Sequence, residues 1–198
     1  MAHQEPLAYR GTATSAENKV SPERSTSFFL TGIPIETDYQ DFFLGFRNIG
    51  SIRHCHMNEP YDRHPETCAA KVVFFTRLAA EIAFESIQAG SIKINGVQPN
   101  VTWNRYRTPE EAPEGRSRVI RIEGPSDIVH TSVLKILWSV TFWWNTDTKY
   151  EIDELDEGVS VIWYYFASYY FQAENATKVL HETFGDIVDV SYQEDPCA

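Results

Sequence analysis

Ser27-Phe28-Phe29-Leu30-Thr31-Gly32-Ile33-Pro34 is the stretch on which the reading of this chain turns. It is a short run of β-prone apolar residues closed by a proline, a strand followed by a turn. Side chains along a strand alternate between faces, so Phe28 and Leu30 share one side while Phe29 and Thr31 share the other. Downstream, Thr37 or Asp38 suits the cap of a helix running to about residue 48, with Phe42, Phe46 and Ile49 on one face. Gly50 ends it. Residues 52–58 alternate as a second strand, with Cys55 and Met57 inward and His54, His56 and Asn58 outward. A polar loop leads to a third strand over 68–75. A helix over 77–88 carries Ala80, Ala83 and Ile87 on one stripe, and a fourth strand covers 101–104. The order is β-α-β-β-α-β.

Residues 108–116 are polar and acidic, with two prolines and a glycine, and read as a linker. Beyond them the same order returns. Strands are expected over 119–122, 150–155, 159–166 and 187–192, and helices over 131–140 and 169–183. The stretch 142–149 is compatible with the start of a strand or with an aromatic-rich loop. The expected fold is therefore α+β: two ferredoxin-like sandwiches, each a four-stranded antiparallel sheet with two helices on one face and the other face open. The predicted units are 26–107 and 117–194, joined by 108–116, with residues 1–25 as a polar, disordered tail.

These residues resemble the RNA-recognition motif, or RRM. Phe28-Phe29-Leu30-Thr31-Gly32-Ile33 fits the six-residue motif of that family's first strand. Thr67-Cys68-Ala69-Ala70-Lys71-Val72-Val73-Phe74 aligns with the eight-residue motif of its third strand. The core-facing positions Ala70, Val72 and Phe74 keep the pattern, whereas Ala69 and Lys71 stand where the family places two aromatics. Ile120-Arg121-Ile122-Glu123-Gly124-Pro125 repeats the first motif more loosely, with Arg121 at the aromatic position. If Phe166 closes the third-strand motif of the second half, Val161 and Trp163 take its open-face positions with Tyr165 beside them. A slip of one residue inverts that assignment.

The resemblance implies a tandem RRM protein, its second domain divergent, that binds rather than catalyses. Its expected ligand is single-stranded RNA, held with weak to moderate affinity mainly on the first sheet. A base stacked on an aromatic ring is worth roughly 1–3 kcal/mol, and the first sheet keeps one such ring, Phe29, instead of three. Thr31, His54, His56, Lys71, Asn100, Thr102 and Asn104 share its face. Arg105, Tyr106 and Arg107 leave the sheet with a chemistry suited to phosphate contact and stacking. Arg121 and Trp163 are the corresponding candidates in the second half. Trp138, Trp143 and Trp144, with Tyr165, form an aromatic cluster that reads either as core and loop packing or as a surface for a protein partner or a second copy. The alternative function is thus a protein-interaction scaffold or dimerisation module built from degenerate RRM domains.

Charge divides the two halves. The chain carries 17 Lys and Arg against 28 Asp and Glu, a formal net charge of −11. Residues 26–107 are neutral overall, while 116–198 carry a net −8, so phosphate recognition is expected on the first half. Three scattered cysteines suggest no disulfide framework, and no long apolar run suggests a membrane span, which points to the nucleus or cytoplasm. His54, Cys55, His56, His64 and Cys68 lie close in sequence, yet a strand turns Cys55 away from both its histidine neighbours, and no paired Cys spacing exists. The acids between 151 and 157 lack calcium-loop spacing. No phosphate-binding glycine loop or hydrolase motif is present, so no cofactor, metal or catalytic residue is assigned.

Overall fold

A computed structural model describes residues 20–60, 66–142, 144, 150–156 and 158–198, the 150–156 strand by its backbone alone. The first half runs β1 (Ser27–Pro34), α1 (Tyr39–Leu44), β2 (Ile52–Asn58), β3 (Thr67–Phe74), α2 (Arg77–Gln88) and β4 (Asn100–Trp103). The second runs β5 (Val119–Pro125), α3 (Thr131–Thr141), β6 (Tyr150–Asp156), β7 (Val159–Tyr165), α4 (Glu174–Phe184) and β8 (Asp189–Gln193). Each half forms one antiparallel four-stranded sheet, in the order β2-β3-β1-β4 and β6-β7-β5-β8.

The alternation read from the sequence sets the first core. Phe28, Leu30, Ala70, Val72 and Phe74 are fully buried beneath the sheet, against Phe42 and Phe46 of the α1 region and Ala80, Ala83 and Ile87 of α2. Gly32 has a φ of 77° and sits where the register of β1 slips against β3, between Thr31 and Ile33. That bulge returns Ile33 to the core although it lies three positions after Leu30. The Asp38 carboxylate accepts from the Asp41 N–H at 2.7 Å, and the Thr76 hydroxyl accepts from the Ala79 N–H at 3.3 Å, so both helices are capped. Gly50 lies under α2, and a Cβ there would come within 2.3 Å of the Ala79 Cβ.

The second core gathers Ile120, Ile122, Leu134, Ile162, Tyr164, Phe166, Ala176 and Leu180 around Trp138. Trp138 is wholly buried, its ring edge-on to Tyr164 at 4.4 Å and tilted against Phe166 at 5.2 Å. This corrects the expectation of Trp138 as a partner-binding residue: its indole fills the space between α3 and the sheet. Trp144 packs against the same core, edge-on to Trp138 at 5.4 Å. Trp143 lies outside the described residues, as does the 1–19 portion of the expected tail. The helix expected over 169–183 begins only at Glu174; Tyr169–Ala173 form a turn broken by non-helical backbone at Tyr170 and Phe171.

The halves are packed together. Residues 108–116 do not run free: Thr26 N–H donates to the Thr108 carbonyl at 2.8 Å, Ser25 bridges Pro109, and Glu111 N–H donates to the Phe75 carbonyl at 2.9 Å. Phe75, just past β3, enters the second core, while Ala167 and Cys197 enter the first. The backbone N–H groups of Ile52, Cys55 and Met57 on β2 donate to the Asp195 carboxylate (2.9 Å), the Ser168 hydroxyl (3.0 Å) and the Tyr39 hydroxyl (3.0 Å). Ile49 and Gly50 N–H both reach the Cys197 carbonyl. Behind these bonds Arg118 and Asp195 form a buried ion pair at 3.0 Å, with the Arg118 guanidinium over the Phe43 ring.

Candidate nucleic-acid interface

Strand register builds the open face of the first sheet row by row. One row runs His56, Lys71, Phe29, Thr102 across β2, β3, β1 and β4. The next runs Asn58, Ala69, Thr31, Asn100. Phe29 is half-buried between two fully buried neighbours, and Thr31, Asn100 and Thr102 are exposed. Each half is an RRM-type sandwich. The strand order and the two covering helices are that fold's arrangement, and on the first sheet the open face carries Phe29 opposite Lys71.

Solved structures similar to this chain are distant from it. The RNA recognition domains 1 and 2 of Sex-lethal from Drosophila melanogaster are 15% identical, covering 85% of this chain and 99% of that one, with a TM-score of 0.33. The first two RRM domains of yeast poly(U) binding protein Pub1 are 12% identical with the same coverages and a TM-score of 0.35. The C. elegans NONO-1 homodimer is 16% identical, covering 89% of this chain and 66% of that one, at 0.32. No family model matches the chain, and no curated protein does.

The third row of this sheet is taken up internally. His54, Val73 and Ser27 lie in register, and Val73 and Ser27 are buried. The Ser168 hydroxyl meets His54 Nδ1 at 3.1 Å and donates to the Cys55 carbonyl at 3.0 Å. With that proton committed to Cys55, the His54 Nδ1–H is left as the donor to Ser168. Burial, with the charges of Lys71, His56 and Arg53 adding to it, pulls the His54 pKa down to about 3. Burial and Lys71 also lower that of His56. Lys71 therefore stands on this face among histidines whose neutral forms are favoured, suited to stacking and base-edge hydrogen bonds rather than to phosphate.

The segment after β4 is partly committed. The Asn104 side chain accepts from the Tyr106 N–H at 3.0 Å, and Arg107 donates to the Val20 carbonyl at 2.9 Å. Arg105 lies over the Tyr106 ring at 5.4 Å and both are exposed. The side chain of Trp103 faces the helices, stacked on Phe84 at 4.4 Å and capped by Arg77 at 3.9 Å.

On the second sheet the register pairs Arg121 with Trp163 and Glu123 with Val161, so Trp163 does share the open side with Arg121. Arg121 is bound by Glu123 and approached by Asp189 at 4.0 Å, and it lies over Trp163 at 5.7 Å. Tyr165 instead borders a groove of about 120 Å³ between the halves, with Phe43, Arg47, Arg118, Pro196 and Cys197. Cys55 points into the first core, opposite His54 and His56. Among the described residues no group of His, Cys, Asp and Glu is arranged to hold a metal, and no helix is long and apolar enough to cross a membrane.

Sequence reasoning missed Arg53, Ser168, Tyr170 and Phe171, which meet at the β2 edge. The signal was present: Tyr169, Tyr170 and Phe171 are three consecutive aromatics, more than one face of a helix can bury. Arg118 and Asp195 carried no local signal, because their pairing joins distant parts of the chain.

Proposed function

We propose that this protein binds single-stranded RNA through the open face of its first sheet, with the second domain acting as support, and that it is a binding module rather than an enzyme. What carries the reading is the alignment of Phe29 with Lys71, His56 and Thr102 in one row across all four strands. One aromatic ring offers a stacking surface, one ammonium group lies within the same row, and neutral imidazole and hydroxyl groups can meet base edges. Thr31 and Asn100 extend the polar surface by one row, and Arg105 and Tyr106 leave from the β4 side. With a single cation in the row, affinity comes from stacking more than from charge, which suits a chain of net charge −11.

Fluorescence anisotropy with pooled short RNAs on the whole chain tests this. Binding that weakens with salt and is lost in Phe29→Ala supports it; no binding at low salt rejects it.

A second reading applies to the other sheet. Arg121 is neutralised by Glu123 and Asp189, so this face offers phosphate little, and Trp163 with Tyr165 fits a protein partner or a second copy better. Sedimentation of the whole chain over a concentration series tests self-association.

A further inference from the structure

We propose that Tyr170 and Phe171 form a second stacking platform, taking a nucleobase of the same RNA strand as it passes off the first sheet over β2. This rests on the RNA-binding reading of that sheet and extends it onto the second domain.

The backbone singles out the pair. Phe171 has a φ of 68°, in the left-handed region that bulky side chains rarely adopt. Such conformations persist only where their surroundings enforce them, and they gather at functional sites. The enforcement is visible on both sides. Ser168 and Tyr169 before the pair, and Gln172 and Ala173 after it, are all buried. Ser168 is held by the Cys55 backbone and by His54. Between these anchors Tyr170 and Phe171 are turned outward, 42% and 49% exposed, with ring centroids 4.1 Å apart. Two large aromatics are thus held rigidly in solvent, at a cost in both hydration and backbone strain.

Position and surroundings favour a base as the occupant. Ser168 touches His54, whose covered row lies next to the row of Phe29 and Lys71, so the pair stands at the β2 border of the open face. The Arg53 guanidinium lies 5.7 Å from the Tyr170 ring centroid and is itself tied to Glu111 at 2.7 Å. Glu174 opens the helix that follows and is exposed. A two-ring apolar island bounded by such charged groups matches the flat face of one or two bases. It falls far short of the roughly 800 Å² per partner that a stable protein interface buries. Phe29 is the one phenyl ring in the two open rows of that face, so a strand anchored on it gains its next stacking partner here.

The test uses the whole chain and RNA oligomers of about four and about ten nucleotides, lengths that a single sheet and an extended path accommodate. Phe171→Gly removes the ring at a backbone angle glycine adopts readily, so its thermal unfolding should not be lowered. The platform predicts that Phe171→Gly and Tyr170→Ala each weaken the longer RNA by about tenfold, leave the shorter one unchanged, and leave the salt dependence of binding as it was. Phe29→Ala weakens both lengths. If Phe29→Ala weakens binding while neither platform variant affects the longer RNA, the platform is wrong and the sheet reading stands. If the unaltered chain binds neither length, both are wrong.

Discussion

Arg118 and Asp195 lie 77 residues apart in sequence and meet at 3.0 Å with almost no access to water. The carboxylate also accepts from the Ile52 and Cys197 N–H groups, and the guanidinium donates to the Phe166 carbonyl. Opposite charges buried together stabilise little in net terms, but removing one partner strands the other. Asp195→Ala should therefore cost about 3–5 kcal/mol, read by urea denaturation, with less loss when Arg118→Met is added. Equal losses in the single and double variants would show that the pairing of charges is not what matters.

If the open face of the first sheet binds RNA as proposed, Lys71 contributes charge and Phe29 a stacking surface, so the two should be separable. Lys71→Ala should lower the slope of log affinity against log salt by about one. Phe29→Ala should weaken binding by about 1–3 kcal/mol and keep the slope. A Phe29→Ala variant that binds as the unaltered chain does would remove the central assumption about this face.

His54 links stability to pH. Burial draws its folded pKa down to about 3 from the ordinary 6.5, so the unfolded chain takes up the proton first. The stability this neutral ring contributes is complete above about pH 6.5 and is lost as pH falls toward 3. His54→Gln cannot take up that proton, so its stability should decline less steeply across that window. Parallel stability–pH curves for the two proteins would argue against a buried, neutral His54.

Gly50 tests the packing of α2. Its φ of 155° and the 2.3 Å approach of an added Cβ to Ala79 leave no room for a side chain. Gly50→Ala should destabilise the protein by about 1–3 kcal/mol, and adding Ala79→Gly should recover part of the loss. Absence of any recovery would place the strain in the backbone and not in the contact.

Much of this architecture was legible in local pattern. The two-residue period of 27–34 and 67–74 assigned Phe28, Leu30, Ala70, Val72 and Phe74 to the core and Phe29 and Lys71 to the open face, because strand geometry makes alternation a statement about sides. Trp163 followed by the same logic once the register of β7 was fixed. What was not legible depended on long-range contact. Trp138 had two readings until its burial against Tyr164 selected one. Residues 169–173 have a helix-compatible sequence, but Ser168 is pinned to β2 and the chain must turn outward before α4 can start. Residues 108–116 have the composition of a loose connector, yet Thr108 and Glu111 add backbone bonds to the first half, which composition cannot foretell.

The side chains that meet β2 have a further effect. A border strand with vacant amide groups is a template on which another polypeptide can extend a sheet, the usual start of aggregation. Here Asp195, Ser168 and Tyr39 already occupy the Ile52, Cys55 and Met57 amides, two of the three from the other half of the chain. The second domain thus guards the first against sticky self-assembly, and cutting the protein between its halves would release that hazard along with the open face of the first sheet.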